Sequence, residues 1–153
     1  MKKLLLILLL ANSSILTINA QEIKWLSLDE ALAAQKKNPK PIFMDVYTDW
    51  CGPCKMLDKN TFNNKAFVDY VTANYYAVKF NAEGNSEVNY KGKKYTNPDF
   101  NAGRRGRNSP HEFGYFLKIQ GYPTMVVINA KGEIANNIVG YRTAEELLPE
   151  LKK

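Results

Sequence analysis

The two cysteines of this 153-residue chain are separated by two residues, in the stretch Trp50-Cys51-Gly52-Pro53-Cys54-Lys55. Two thiols at that spacing can close into a disulfide and reopen without moving the rest of a fold. Pro53 has no backbone N–H, which suits the first turn of a helix. Cys51 would then precede a helix N-terminus, where unpaired N–H groups and the helix dipole favour its thiolate. Because the thiolate is the nucleophile of disulfide exchange, the spacing predicts reversible thiol–disulfide chemistry.

Two other uses of the cysteine pair have less support in the sequence. A structural disulfide between Cys51 and Cys54 would close a very small loop and gain little loop entropy. A zinc site would need two further ligands, and the chain offers only His111 and carboxylates. We interpret His111 as a helix-start or surface residue. We therefore expect no metal and no cofactor beyond a redox-active Cys51–Cys54 disulfide.

The N-terminus has the pattern of a secretory signal peptide. Lys2 and Lys3 precede a short apolar run over residues 4–11, and a more polar stretch ends at Ala20. A small residue there fits cleavage before the next residue. A retained membrane anchor is the alternative, but it needs about 20 apolar residues, and polar residues interrupt this run. The sequence predicts a signal peptide at residues 1–20 and one domain at residues 21–153, in a periplasmic or secreted protein.

Helix and strand signals alternate along the rest of the chain, which predicts an α/β protein with a βαβ crossover followed by an antiparallel hairpin. Capping boxes and apolar periodicity mark the elements. In chain order they are a helix capped by Ser27, a buried strand at Ile42–Tyr47, helical pieces from Pro53 to about Asn60 and over residues 62–71, a strand over residues 75–81, a helix over residues 111–119, strands over residues 125–129 and 133–139, and a last helix capped by Thr143 and kinked or shortened by Pro149.

Residues 84–110 interrupt this pattern with Gly, Asn, Pro and charge. Six Lys and Arg against two Asp and Glu give residues 85–110 a net charge of +4, which equals the net charge of residues 21–153. The basic character therefore belongs to one segment. We interpret it as a solvated, mobile insertion that does not bind nucleic acid. Binding of nucleic acid or anionic lipid through its arginines and aromatic residues, or coverage of the cysteine face to narrow substrate choice, are the alternatives.

Several motifs in order resemble the thioredoxin family. The stretch around the cysteines matches the family's active site, and residues 121–124, Gly-Tyr-Pro-Thr, match a motif whose proline is cis and faces the disulfide. Asp45, six residues before Cys51, matches a buried acid behind that site, and Lys79 matches the lysine beside the acid. The resemblance covers nearly all of the chain after the signal peptide except residues 84–110. It implies an α/β thioredoxin fold, with a central mixed sheet flanked by helices and an insertion at about residues 84–110.

A narrower likeness is to the exported thioredoxin-like domains of membrane thiol:disulfide interchange proteins. Tyr47 stands where thioredoxin itself carries tryptophan, and Thr61-Phe62 followed by Phe67-Val68 also occurs in those domains. This resemblance implies substrate proteins that carry disulfides and a membrane electron donor of the interchange type. We expect the protein to be a monomer.

The resemblance also implies roles for individual residues. Cys51 would be the exposed, attacking thiol, and Cys54 the more buried, resolving thiol. Asp45 would accept the proton of Cys54, because a partly desolvated carboxylate is a better base near neutral pH. The positive charge of Lys79 would partly offset the effect of desolvation on Asp45. Residues expected to contact substrate are Trp50, Gly52, Pro53, Tyr122 and Pro123.

The dipeptide Gly52-Pro53 bears on the direction of electron flow. It resembles thioredoxin's own dipeptide, whose potential of about −270 mV is far more reducing than the value of about −120 mV for the oxidising periplasmic catalyst. We therefore expect a protein-disulfide reductase. A disulfide oxidase or isomerase is one alternative, and a non-catalytic module that holds a partner in the same groove is another.

Overall fold

The computed structural model describes residues 21–153, which form a five-stranded sheet with helices on both faces and a separate two-stranded hairpin. The predicted signal peptide, residues 1–20, lies outside the described residues. The elements in chain order are β1 Trp25–Leu26, α1 Leu28–Lys37, β2 Ile42–Tyr47, α2 Gly52–Met56, a π-helical turn Leu57–Thr61, α3 Lys65–Asn74, β3 Tyr76–Asn81, β4 Val88–Tyr90, β5 Lys93–Tyr95, α4 Glu112–Phe116, β6 Thr124–Ile128, β7 Ile134–Val139 and α5 Ala144–Leu151.

Strand β2 lies at the centre of the large sheet, whose order is β1-β3-β2-β6-β7. It pairs in parallel with β3 and antiparallel with β6. Its apolar run suits that position, because a central strand is covered on both faces. The parallel neighbour is reached through α2 and α3, as a crossover connection requires. The predicted mixed sheet and thioredoxin-type α/β layering are therefore confirmed.

Alternation along β2 divides the core into two layers. Phe43 packs with apolar residues of the π-helical turn, α3 and α5 on one face. Met44 and Val46 pack with α1, α4 and the β4–β5 hairpin on the other. Asp45 shares the parity of Phe43, so its carboxyl lies on the face that carries the helices following the cysteines. Within residues 21–153, no helix is long and apolar enough to span a bilayer.

Local capping signals are reliable in this chain. Ser27 and Thr143 each accept a backbone N–H and receive the side chain of the glutamate three residues later, so both capping boxes are confirmed. Helix α5 contains Pro149 and ends two residues later. The first strand was not predicted, because two residues are too few to show a period.

The helical piece predicted from Pro53 to about Asn60 is confirmed in extent, but its second half is not α-helical. Helix α2 ends at Met56, and a π-helical turn follows, in which Phe62 N–H donates to Leu57 O at 3.0 Å. The extra residue in this wider turn lets Leu57, Thr61 and Phe62 all be buried. Thr61 Oγ1 also donates to Arg142 O at 2.6 Å, a long-range contact that no local pattern encodes.

Residues 84–110 are solvated only in part, contrary to the prediction of a solvated insertion, because they carry the β4–β5 hairpin. Lys91 and Gly92 form its two-residue turn, both with positive φ, which suits tight hairpins. Val88, Tyr90 and Tyr95 from this hairpin are buried in the core. The strands are three residues each, too short for a visible alternation, and their apolar residues become buried where α1 and α4 pack against the hairpin.

His111 begins helix α4, as predicted, but the surface alternative is wrong because its side chain is fully buried. Its Nδ1 accepts the N–H of Phe113 at 3.0 Å. Its Nε2 lies 2.6 Å from Ser86 O, which only accepts, so Nε2 donates. The ring therefore joins the start of the insertion to the helix that follows it.

Candidate active site

The cysteine pair lies where β2 delivers the chain to helix α2. Cys51 is the N-cap of that helix and is disulfide-bonded to Cys54, with the two Cα atoms 5.3 Å apart. The N–H of Cys54 donates to Cys51 Sγ at 3.1 Å. The N–H of Cys51 donates to Thr48 O at 3.2 Å, which holds the connecting loop. A sulfur at this position receives a helix N-terminal N–H, the arrangement that stabilises a thiolate.

The expectation that Cys51 is the exposed cysteine is wrong for the disulfide form. Cys51 and Cys54 are each 2% exposed. The reason is that the disulfide and the N–H of Cys54 hold Cys51 Sγ against the first turn of α2. The two sulfurs differ in this state by position, at the helix cap and inside the helix, rather than by exposure.

The surface beside the disulfide is formed by aromatic residues and exposed backbone. The Trp50 side chain is 37% exposed, and its ring packs edge-on against Tyr122, with centroids 5.9 Å apart. The Tyr122–Pro123 peptide bond is cis, and Gly140 N–H donates to Pro123 O at 2.8 Å. Gly52 has no atom within 4 Å of where a Cβ would lie, so this part of α2 is open to a partner.

Asp45 is a buried carboxyl with only one of its oxygens bonded. Its side chain has no exposed surface, and Lys79 Nζ lies 2.8 Å from Oδ2. Oδ1 has no hydrogen-bond partner. Burial raises the pKa of Asp45 to about 6, although the charge of Lys79 opposes the rise. The pKa of this carboxyl therefore lies well above its ordinary value of 3.8.

Lys79 joins Asp45 to a second carboxylate, Asp58, in the π-helical turn after α2. Its Nζ also lies 5.0 Å from the ring centroids of Trp25 and Tyr47. Burial alone would lower the pKa of Lys79, but the two carboxylates outweigh it and raise the pKa. The lysine remains a cation. It is a charge partner of the buried acid rather than an ordinary surface lysine.

A cleft of about 550 Å³ opens beside this group and is lined in part by Lys79, Asp58 and Asn63. Asp58 is about half exposed, whereas Asp45 is fully buried. Solvent thus reaches the outer end of the Asp45–Lys79–Asp58 series.

Comparison with known proteins agrees with this geometry. The model of the thioredoxin-like domain family matches residues 28–153. The chain belongs to the thioredoxin-like family. The predicted likeness to interchange-type proteins is confirmed as well. The chain is 28% identical over 128 residues to the thiol:disulfide interchange protein DsbD of Pectobacterium atrosepticum, covering 82% of this chain and 18% of that protein. This thioredoxin-like domain thus spans about a fifth of the length of that relative.

Two solved structures resemble the thioredoxin-like domain. A putative disulphide-isomerase from Bacteroides thetaiotaomicron is 30% identical, with a TM-score of 0.61, over 87% of this chain and 93% of that one. The oxidised C-terminal domain of DsbD from Neisseria meningitidis is 21% identical, with a TM-score of 0.53, over 84% of this chain and 97% of that one. At 21% identity, the likeness to the DsbD domain shows a shared fold. With its paired cysteines, the chain is a thioredoxin-like thiol:disulfide oxidoreductase.

In the part of the chain that the structure describes, no three His, Cys, Asp or Glu side chains gather where an ion could be held.

Sequence reasoning missed Asp58 and Glu83 at the site, and it considered Arg107 only within the alternative that the basic segment covers the cysteine face. Asp58 lies four residues after Cys54, one helical turn on, and that spacing could have indicated it. Glu83 had no signal: its Oε2 accepts Trp50 Nε1–H at 2.9 Å and Asn108 N–H at 2.6 Å. Arg107 lies in the basic segment, and its Cζ is 4.1 Å from the centroid of the Trp50 ring.

Proposed function

We propose that this thioredoxin-like protein is exported and reduces disulfides in periplasmic substrate proteins. The observation that carries the proposal is the N–H of Cys54 directed at Cys51 Sγ, at the start of α2. A donor in that place stabilises the thiolate of Cys51, which is the nucleophile of disulfide exchange. The same donor remains in place when the disulfide opens, because it belongs to the helix backbone.

The reaction has two exchange steps. The Cys51 thiolate attacks one sulfur of a substrate disulfide; a mixed disulfide forms, the substrate S–S bond breaks, and the first substrate thiolate takes a proton. Cys54 then loses its proton and attacks Cys51 Sγ. The mixed disulfide breaks, and the second substrate thiolate leaves and is protonated. Two electrons pass to the substrate, and the Cys51–Cys54 disulfide of the structure is the product.

Asp45 is the residue that we assign to the proton of Cys54. A pKa of about 6 leaves the carboxyl mostly ionised near neutral pH, yet basic enough to take a proton. The oxygen without a partner, Oδ1, is available for that proton, directly or through water, while Lys79 holds Oδ2. Lys79 acts through Asp45, as a positioning residue.

Substrate would approach over the open surface formed by Gly52 and Pro53, between Trp50 and the Tyr122–Pro123 segment. Gly52 and Pro53 are exposed, and the Trp50 and Tyr122 rings pack together at the border of this surface. Aromatic rings with one exposed side supply contact area at small entropic cost, which suits partners of varied sequence.

The proposed direction rests on Gly52-Pro53, and the proposed location on residues 1–20. A reductase in an oxidising compartment must be re-reduced, so we propose a membrane electron donor of the interchange type. Equilibration with glutathione tests the direction: we expect a potential near about −270 mV, and a value near about −120 mV would make the protein an oxidase. Insulin reduction with dithiothreitol should be lost in Cys51→Ser. The N-terminal sequence of protein from the periplasmic fraction should begin at Gln21.

A further inference from the structure

Residues 101–108 form a closed loop that we call the arginine loop. Its ends are joined by Asn101 and Asn108: the N–H of Asn101 donates to Asn108 Oδ1 at 3.0 Å, and Asn108 Nδ2 donates to Asn101 O at 2.9 Å. Asn101 Oδ1 also accepts the N–H of Gly103 at 2.9 Å. The three arginines of the loop are Arg104, Arg105 and Arg107. None of these hydrogen bonds uses an arginine side chain, so the closure of the loop leaves the guanidinium groups free to contact other groups.

The base of the arginine loop is tied to the domain. Asn97 is buried, and its Nδ2 donates to Gly84 O at 2.9 Å and to Ser109 O at 2.8 Å. Ser109 Oγ donates back to Asn97 Oδ1 at 2.9 Å. Glu83 accepts the N–H of Asn108 at 2.6 Å. These contacts fix the backbone that carries the arginines, which lowers the entropy that the loop itself loses on binding.

The arginine loop meets the candidate active site at Trp50. Arg107 Cζ lies 4.1 Å from the centre of the Trp50 ring, and that ring packs on Tyr122. Trp50 Nε1–H donates to the same Glu83 oxygen that holds the loop. One carboxylate thus connects the residue before Cys51 to the loop that carries the arginines.

The charges of the arginine loop are not neutralised within the domain. Among residues 21–153, no carboxylate lies within 4.0 Å of the guanidinium nitrogens of Arg104, Arg105 or Arg107, and all three side chains are exposed. Lys94 in the preceding hairpin differs, because Glu87 pairs with it at 2.9 Å. The loop thus carries three cations without a carboxylate partner, and one of them, Arg107, lies on Trp50, the residue before Cys51.

From this arrangement we infer that the arginine loop binds an acidic stretch of polypeptide that flanks the substrate's disulfide. The inference rests on the proposed function, because the substrate disulfide must reach Cys51. Extended chain advances about 3.3 Å per residue, so residues a few positions from the substrate cysteine would cross Trp50 and reach Arg107. Guanidinium groups bind carboxylates through paired N–H donors. An anionic lipid surface bound to the arginine loop would also cover the cysteine face and keep a substrate disulfide from Cys51. An acidic polypeptide therefore fits this arrangement better.

The test compares internally quenched peptide disulfides of one sequence, in which three positions after the cysteine are Glu, Gln or Lys. The pre-reduced wild type should reduce the Glu peptide about tenfold faster than the Gln peptide, measured as a second-order rate constant, and the Lys peptide more slowly. The triple variant Arg104→Gln, Arg105→Gln, Arg107→Gln should bring the three rates within about twofold of one another. Salt at about 0.5 M should likewise bring the three rates of the wild type close to one another, because it screens the charges.

A matched control removes equal charge at the other end of the domain: Lys36→Gln, Lys37→Gln, Lys153→Gln. Lys36 and Lys37 end helix α1, next to the start of β2, whereas the cysteines follow the end of that strand, about 20 Å away. This variant should keep the preference for the Glu peptide. Circular dichroism should show the same fold for both triple variants.

Each outcome decides between named alternatives. Equal rates for the Glu and Gln peptides in the wild type, or an unchanged preference in the arginine variant, would overturn the inference and leave the proposed function intact. A wild type that reduces neither insulin nor any peptide would instead overturn the proposed function. Arginine-dependent sedimentation with phosphatidylglycerol vesicles, together with equal peptide rates, would replace the acidic polypeptide by a lipid surface.

Discussion

Lys79 Nζ lies 2.8 Å from Asp45 Oδ2, and the two residues are register partners across the parallel strands β2 and β3. The ion pair occupies one carboxyl oxygen and leaves the other, Oδ1, buried and without a partner. Desolvation outweighs the attraction of the lysine, and the pKa of Asp45 rises to about 6. We therefore expect the stability of the protein to depend on the protonation of Asp45, and on the role proposed for this acid we expect the same of its activity.

Replacing Asp45 by Asn should stabilise the protein above about pH 7. A carboxyl whose folded pKa is about 6 and whose ordinary pKa is near 3.8 favours the protonated form in the fold. The stabilisation that protonated Asp45 gives the fold is present in full below about pH 4. It is lost as the pH rises through about 6, and the loss is at most about 3 kcal/mol. Guanidinium unfolding of Asp45→Asn at several pH values should give about 1–3 kcal/mol more stability at about pH 8 and a flatter profile.

The control for this change is Asp69→Asn, since Asp69 is exposed on α3 and pairs only with Lys65. It should leave the pH profile of unfolding unchanged. An Asp45→Asn profile as steep as that of the wild type between about pH 4 and 7 would contradict the assignment.

Asp45→Asn should also slow the resolving step. Without a proton acceptor for Cys54, the mixed disulfide on Cys51 should persist, and its decay should slow about a hundredfold. Single-turnover reaction with insulin, followed by acid trapping and non-reducing electrophoresis, would measure that decay. The first exchange step should change little, because Cys51 receives its N–H from the helix backbone. Equal slowing of both steps would speak against a role specific to Cys54.

Replacing Lys79 by Met should move the pH profile of reduction upward. Lys79 opposes the rise in the pKa of Asp45, so its removal should raise that pKa further above 6. The pH at which the resolving step reaches half its maximum should rise with it. Stability at about pH 8 should fall by about 3–5 kcal/mol, because a buried carboxylate loses its partner. Lys79→Arg, which keeps the charge, should retain the wild-type profile; a Met variant with an unshifted profile would count against the coupling.

Replacing Glu83 by Ala should loosen the arginine loop and Trp50 together. The carboxylate accepts N–H groups from Trp50 and Asn108, and charge-assisted hydrogen bonds contribute about 1.5–3 kcal/mol when shielded from water. Hydrogen exchange of the Asn108 amide should speed up at least tenfold, and the preference for acidic peptides should weaken. Glu87→Ala, which removes only an exposed pair with Lys94, should leave both unchanged. Unaltered exchange at Asn108 in Glu83→Ala would refute the link.

Replacing His111 by Ala should destabilise the protein by about 2–4 kcal/mol, measured by denaturant unfolding. The change removes a buried ring, leaves the N–H of Phe113 without its acceptor, and leaves Ser86 O without its donor. His111→Asn should recover part of the loss, because Asn is also a good helix N-cap. Identical stabilities for the two variants would show that the cap contributes nothing.

Local patterns were sufficient where neighbouring residues decide the conformation. The capping boxes at Ser27 and Thr143 place two helix starts correctly, since donor and acceptor lie three residues apart. The apolar run Ile42–Tyr47 gives the central strand with its bounds. The helical piece after the cysteines was placed correctly, but its change to a π-helical turn at Leu57–Thr61 has no local signal, and Thr61 there contacts Arg142, far along the chain.

The sequence by itself determined the redox pair, the order of the main elements and the family, because these depend on residue types at short, regular spacings. The tertiary structure alone decided that Cys51 is buried in the disulfide form, that Asp58 shares Lys79 with Asp45, and that the basic segment packs as a hairpin and a closed loop. It also placed Arg107 on Trp50. These features are contacts between residues far apart in the chain, and such contacts exist only once the sheet and helices have brought the segments together.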